Sequence, residues 1–218
     1  MDDIVILSGA RSAIGTFGGS LSGLPLSAVA TEVVKAALAR AGVAPAQIGT
    51  VVFGHVINTE PRDAYLSRVA AIGAGIPDTT PAMNVNRLCG SGAQAIVSAA
   101  QALALGDADF ALAAGAEAMS RAPYILPAAR WGQKMGDLGA QDMMLGALTC
   151  PFGTGHMGVT AENVAAEHGV SRAAQDAFAM ESQVRAARAI RLRMPTRAAR
   201  ARRREARKRS TRSLLPSV

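Results

Sequence analysis

A chain of 218 residues that is 50% hydrophobic and 4% aromatic can bury an aliphatic core in one large or two small globular domains, which excludes an intrinsically disordered chain. Its net charge of +7 divides unevenly: residues 184–218 hold twelve arginines, one lysine and one glutamate, so this tail carries +12 and residues 1–183 carry −5. The body is therefore mildly acidic, two cysteines are too few for a disulfide scaffold, and three scattered histidines compose no zinc site at ligand spacing.

The first 118 residues alternate short apolar runs with longer helical patterns, the signature of strands crossing over through helices into a mainly parallel sheet. The first expected strand is IVILSG (Ile4–Gly9). A helix follows in SAVATEVVKAALARAG, with Ser27 at its start and Gly42 as its stop. TVVFGHVI (Thr50–Ile57) reads as the next strand, AYLSRVAAIGAG as a helix, AMNVN (Ala82–Asn86) as a strand, CGSGAQAIVSAAQALALG as a long helix, and DFALAAGAEAM (Asp109–Met119) as a fourth strand. From Ser120 to Thr154 the periodicity lapses into a stretch rich in proline and glycine. Its apolar content, including Tyr124, Trp131, Met143 and Leu148, favours an ordered cap over a linker. Helical spacing returns in GVTAENVAAEHGV and in SRAAQDAFAMESQVRAARAI, where Ser171 is the expected N-cap. No stretch approaches about 18 uninterrupted apolar residues, and MDDIVILSGAR opens with acids where a secretory signal carries basic residues. The expected location is the cytoplasm, with no membrane.

The chemistry concentrates in NVNRLCGSGAQAI, where Cys89 sits between a strand and a helix. Unpaired N–H groups and the dipole at a helix start favour a thiolate. Gly90 and Gly92 would let the backbone approach a bound carbonyl, with N–H groups of the same turn as oxyanion donors. A buried cysteine filling a tight turn accounts for the same residues. So does a dinucleotide-binding oxidoreductase, because Gly90, Gly92 and Ala95 fit G-x-G-x-x-A with Asp109 about 20 residues on. That fit is weak: strand–helix units precede it, and the polar NVNR is not the apolar strand such a motif follows.

NRLCGSGAQAI, GAEAMSRAPY and HMGVTAENVA (His156–Ala165), in that order and together with GHVINTEPRDAYLSRVAA and PAARWGQKMGDLGAQDMMLGAL, resemble the successive signatures of the thiolase family, most closely the bacterial β-ketothiolases linked to polyhydroxyalkanoate synthesis. The resemblance runs from Ile4 to about Ile190. It implies a layered βαβαβ N-terminal half at 1–119 and the start of a CoA-binding loop domain at 120–190. It also implies an acyltransferase that forms or cleaves 3-ketoacyl-CoA, with acetyl-CoA and acyl-CoA as substrates, no separate cofactor, no metal and a homotetrameric assembly. Cys89 matches the acyl-accepting nucleophile of a ping-pong reaction. His156, Met157 and Leu148 match residues that line the CoA and acyl pocket, and Gln183 is a further carry-over of that kind. His55, His168 and Cys150 are expected to be ordinary packing residues.

After ESQVRAARAI the resemblance stops. The family continues with a glycine–aromatic turn and a second half that carries a histidine activating the nucleophile, a second cysteine that moves the α-proton and an asparagine of one oxyanion hole. This chain reads RLRMPTRAARARRREARKRSTRSLLPSV instead. Read as a functional arm, the tail would bind nucleic acid, since its arginines release counterions from a phosphate backbone. The reading adopted is a GC-rich gene translated out of frame, giving a disordered segment at 191–218 and a chain inactive for want of the C-terminal residues.

Overall fold

The computed structural model describes residues 3–191 and places them in two compact units, one ending at Ala147 and the other beginning at Leu148. In the first unit, helix α1 (Leu26–Ala41) buries Leu26, Ala30, Val34 and Leu38, apolar positions that recur at helical spacing. Gly42 closes it at φ 66°, donating its N–H back to the carbonyls of Leu38 and Ala39. Ser27 lies inside the helix instead of at its start; the fixed φ of Pro25 begins the turn earlier, and the buried Ser27 offers its carbonyl to the Thr31 hydroxyl at 2.8 Å.

Three parallel strands form the sheet, with β1 (Thr50–Gly54) between β2 (Ala82–Val85) and β3 (Ala111–Gly115). Parallel neighbours need crossovers, and α2 (Leu66–Gly73) and α3 (Ser91–Leu105) supply them. Val51 pairs with both Ala82 and Leu112. The alternation of β1 then divides the core. Val51 and Phe53 pack with Val34 of α1 and Leu66 and Ala70 of α2, whereas Val52 packs with Ala95 and Ala99 of α3. The sheet thus has α1 and α2 on one face and α3 on the other, the α/β arrangement expected from the alternating pattern.

Further expectations change, among them the second expected strand, Thr50–Ile57, which ends at Gly54. Ile4–Gly9 forms no strand; it runs unpaired beside α1, where Ser8 donates its hydroxyl to the Ala37 carbonyl at 2.7 Å and Arg40 reaches the Gly9 carbonyl at 2.9 Å. A strand apolar on both sides needs both faces covered, and Ile4, Val5, Ile6 and Leu7 remain exposed. The fourth expected strand shortens to Ala111–Gly115 because Glu117 turns its carboxylate onto the N–H groups of Val56 and Ile57, both at 3.0 Å, and draws the chain out of the ladder. Lastly, Leu88–Leu105 is apolar enough to cross a membrane by length and composition, although no run of that length was expected. Here α3 lies along β1 and β3, burying Ala95 and Ala99.

The stretch after Ser120 is ordered by short local pairings. β4 (Tyr124–Ile125) runs antiparallel to β5 (Gln141–Asp142), and the Asp142 carboxylate accepts the Met144 N–H at 2.8 Å to start α4 (Met143–Ala147). The second unit begins with a hairpin of β6 (Thr149–Cys150) and β7 (Gly155–His156), followed by α5 (Met157–Glu167) and α6 (Arg172–Arg191). Ser171 caps α6 as expected, accepting the Ala174 N–H at 3.2 Å. Arg191 still belongs to α6; the remainder of the arginine-rich tail, 192–218, lies outside the described residues.

Candidate active site

β2 ends at Val85 and α3 begins at Ser91, and the five residues between them make the turn that carries Cys89. Cys89 is exposed, which removes the reading of it as a buried filler. The helix behind it is anchored closely. A Cβ on Gly54, the last residue of β1, would come within 2.5 Å of the Ser91 carbonyl carbon and 2.8 Å of the Gly92 nitrogen, so the first turn of α3 rests directly on the end of the central strand. The start of α3 therefore cannot slide along the sheet without disturbing β1.

The turn itself contains a backbone feature that composition does not reveal. Leu88 has φ 48°, the only non-glycine among the described residues with a positive φ. Side-chain and backbone hydrogen bonds surround it: the Asn86 side-chain oxygen accepts the Leu88 N–H at 3.0 Å, the Leu88 carbonyl accepts both the Ser91 hydroxyl at 2.6 Å and the Ser91 backbone N–H at 2.9 Å, and the same hydroxyl accepts the Arg87 N–H at 2.8 Å. Gly90 donates its N–H to the Arg87 carbonyl at 3.0 Å, so an oxyanion role for that N–H would have to displace this bond. Beside Gly92 the space is open: no atom lies within 4 Å of where its Cβ would be. That leaves the backbone there approachable. Asn86, Leu88, Ser91 and Gly54 were not singled out by sequence reasoning. The serine beside a cysteine–glycine pair and the asparagine two residues before a leucine were the available signals.

The remaining sequence-chosen residues lie in the second unit. Leu148 and Met157 meet where the Met157 N–H donates to the Leu148 carbonyl at 2.9 Å, and His156 is paired with Thr149 across the hairpin. His156 is the N-cap of α5, its Nδ1 accepting the Gly158 N–H at 3.0 Å. A nitrogen that accepts carries no hydrogen, which fixes Nε2 as the donor on an exposed ring. The structure thus brings Leu148, His156 and Met157 together and places Gln183 on the exposed surface of α6.

Two residues expected to be ordinary packing, Cys150 and His55, have specific polar surroundings. Cys150 holds its thiol below the ordinary cysteine range, chiefly because the Thr154 hydroxyl and then the N–H groups of Phe152 and Thr154 stabilise the thiolate in the tip of the hairpin. His55 is buried with Nδ1 at 3.0 Å from the Ala116 carbonyl and 3.5 Å from a Glu117 carboxylate oxygen. A carbonyl only accepts, so Nδ1 carries the hydrogen, and Nε2 is buried without a partner among the described residues.

The family model for the thiolase N-terminal domain matches residues 4–194. The chain belongs to the thiolase family. The β-ketothiolase BktB of Cupriavidus necator is 61% identical to it over 188 residues, covering 86% of this chain and 48% of that protein. An acetyl-CoA acetyltransferase of the same organism is 48% identical over 187 residues, covering 85% and 47%. Among solved structures, the acetyl-CoA acetyltransferase of Bacillus anthracis superposes with a TM-score of 0.79 at 39% identity, covering 86% of this chain and 47% of that one. Human mitochondrial 3-ketoacyl-CoA thiolase in complex with CoA superposes with 0.80 at 35% identity, covering 85% and 48%. This thiolase chain spans about half the length of the relatives it matches. Neither the dinucleotide-binding nor the nucleic-acid reading finds support in these comparisons.

Proposed function

We propose that this chain carries the acyl-accepting part of a thiolase, with Cys89 as the nucleophile. The observation that carries the reading is an exposed cysteine set at the start of a 15-residue helix, on a chain whose residues 4–194 match the thiolase N-terminal domain. Sγ of Cys89 attacks the thioester carbonyl of an acyl-CoA. The carbon–sulfur bond to CoA breaks, CoA leaves as the thiol with the proton that Cys89 gives up, and the acyl group stays on Cys89 as a new thioester. One thioester replaces another, so the exchange is nearly balanced and the acyl carbonyl stays reactive. The carbanion formed when acetyl-CoA gives up an α-proton then attacks the acyl carbonyl to give 3-ketoacyl-CoA; the bond to Sγ breaks, and Cys89 leaves as a thiolate that regains a proton. In the reverse direction the CoA thiol takes the acyl group and its proton returns to Cys89.

Leu148, His156, Met157 and Gln183 serve as contacts for the CoA and acyl portions, the exposed Nε2–H of His156 being a donor suited to an amide or thioester carbonyl. No separate cofactor is required. A cytoplasmic location suits the reading, because a catalytic thiol needs a reducing compartment. The homotetramer of the family is the assembly proposed for the complete enzyme.

Incubation with radiolabelled acetyl-CoA, followed by peptide mapping, tests the reading. Acetyl label is expected on the peptide containing Cys89 and is expected to vanish in Cys89→Ala. Label confined to other peptides would overturn it. Sustained turnover of acetoacetyl-CoA and CoA is expected to be negligible for the 218-residue chain alone. The proton-transfer partners that the resemblance places in a second half are worth about 10²- to 10⁴-fold each.

A further inference from the structure

We propose that Asn86 and Ser91 are positioning residues for Cys89 and act through the backbone of Leu88. The inference rests on the reading of Cys89 as the acyl acceptor. A leucine at φ 48° occupies a region that costs a side-chain-bearing residue about 1–2 kcal/mol relative to the right-handed conformation. Such a conformation persists only where its surroundings hold it.

Here the surroundings are specific. The Asn86 side chain accepts the N–H of Leu88, and the Ser91 hydroxyl donates to its carbonyl beside the Ser91 backbone N–H at 2.9 Å, so a side chain holds each polar group of the residue before the cysteine, the carbonyl with backbone help. Ser91 is itself fastened, because its hydroxyl also accepts the Arg87 N–H, and it stands on Gly54. Asn86 is tied from the other side, its amide donating to the Val56 carbonyl at 3.4 Å, in the segment whose next residue, Ile57, and whose own N–H are clamped by Glu117. The left-handed residue turns the chain sharply between β2 and α3. Cys89 follows directly and stands two residues before the first residue of α3, so losing this φ would change how its side chain is presented to the helix start.

The test is a double-mutant cycle read on the 218-residue chain by the rate of Cys89 alkylation with iodoacetamide, with Cys150 in the same sample as reference. Asn86→Ala is expected to slow Cys89 by about fivefold or more and to leave Cys150 unchanged. Asn86 is exposed, so this variant is not expected to unfold, and its melting curve checks that. Ser91→Ala provides a second arm with the same expected direction. The discriminating variant is Leu88→Gly, since glycine adopts a positive φ without help. In that background, Asn86→Ala is expected to have no effect on Cys89. An unchanged Cys89 rate in both single variants, or an equal slowing with and without Leu88→Gly, overturns the proposal. Acetyl transfer from acetyl-CoA is read separately. If Cys89 alkylation follows this pattern and no acetyl label reaches it, the positioning stands and the thiolase activity falls.

Discussion

Cys150 and His156 each carry a prediction at the scale of the single residue. The Cys150 thiol is held down by the Thr154 hydroxyl and the hairpin's N–H groups. A lowered thiol retains its thiolate, and with it its reactivity, to lower pH than an ordinary cysteine, and loses it only as pH falls through that lowered value. Thr154→Val removes the leading cause. The pH profile of Cys150 alkylation, followed by peptide mapping, is expected to move upward in the variant, and an unmoved profile counts against the arrangement. His156 combines two tasks on its two nitrogens, capping α5 through Nδ1 and offering Nε2–H outward. His156→Asp keeps a capping oxygen and loses the outward donor, whereas His156→Ala loses both. Helix content measured by circular dichroism is expected to be retained in the first variant. In the second, the start of α5 is expected to weaken by about 1 kcal/mol. Acetyl-CoA binding is expected to fall in both.

Among the elements, the junction of β1 with α3 is the most constrained. Gly54→Ala would drive a methyl group into the backbone of Ser91 and Gly92, neither of which is a flexible side-chain end that can give way. The expected cost is about 1–3 kcal/mol, read as a lower urea midpoint, together with slower alkylation of Cys89 as the start of α3 is pushed back. Gly92→Ala meets open space and is expected to leave the midpoint almost unchanged. The contrast between two glycines so close to the nucleophile separates a packing requirement from an open approach to the backbone. On the opposite face of the sheet, Leu66 of α2 is fully buried among Val34, Val51 and Phe53. Leu66→Ala is expected to cost about 2–5 kcal/mol, which for a domain of this size is a large part of its stability.

For the molecule as a whole, the apolar surface left open is the dominant feature. Ile4, Val5, Ile6 and Leu7 form no sheet pairing, and α3 exposes Ile96, Val97 and Leu105 on the side away from β1 and β3. Exposed apolar surface of this kind drives association. Dilution of the purified chain is expected to shift its light-scattering mass downward, and an environment-sensitive apolar dye is expected to bind strongly. Replacing Ile96 and Val97 by lysine is expected to reduce both signals without lowering the melting temperature, because neither side chain is in the core.

Local pattern by itself determined the alternation of helices and strands, the glycine stop after α1, the serine cap of α6 and the place of Cys89 at a helix start, since each depends on neighbours within a few residues. The succession of motifs around Cys89 and His156 was equally legible, and the match of the thiolase N-terminal domain to residues 4–194 bears the family out. Tertiary structure alone decided the rest. Whether Ile4–Gly9 pairs depends on cover from distant elements, and the end of β3 depends on Glu117 finding the amides of Val56 and Ile57, some 60 residues back. The support of Leu88 depends on Asn86 and Ser91 converging from either side of a turn whose φ no residue type announces. Hydrophobic period and capping are properties of short segments, whereas cover, strand ends and strained turns are set by groups that meet only when the chain has folded.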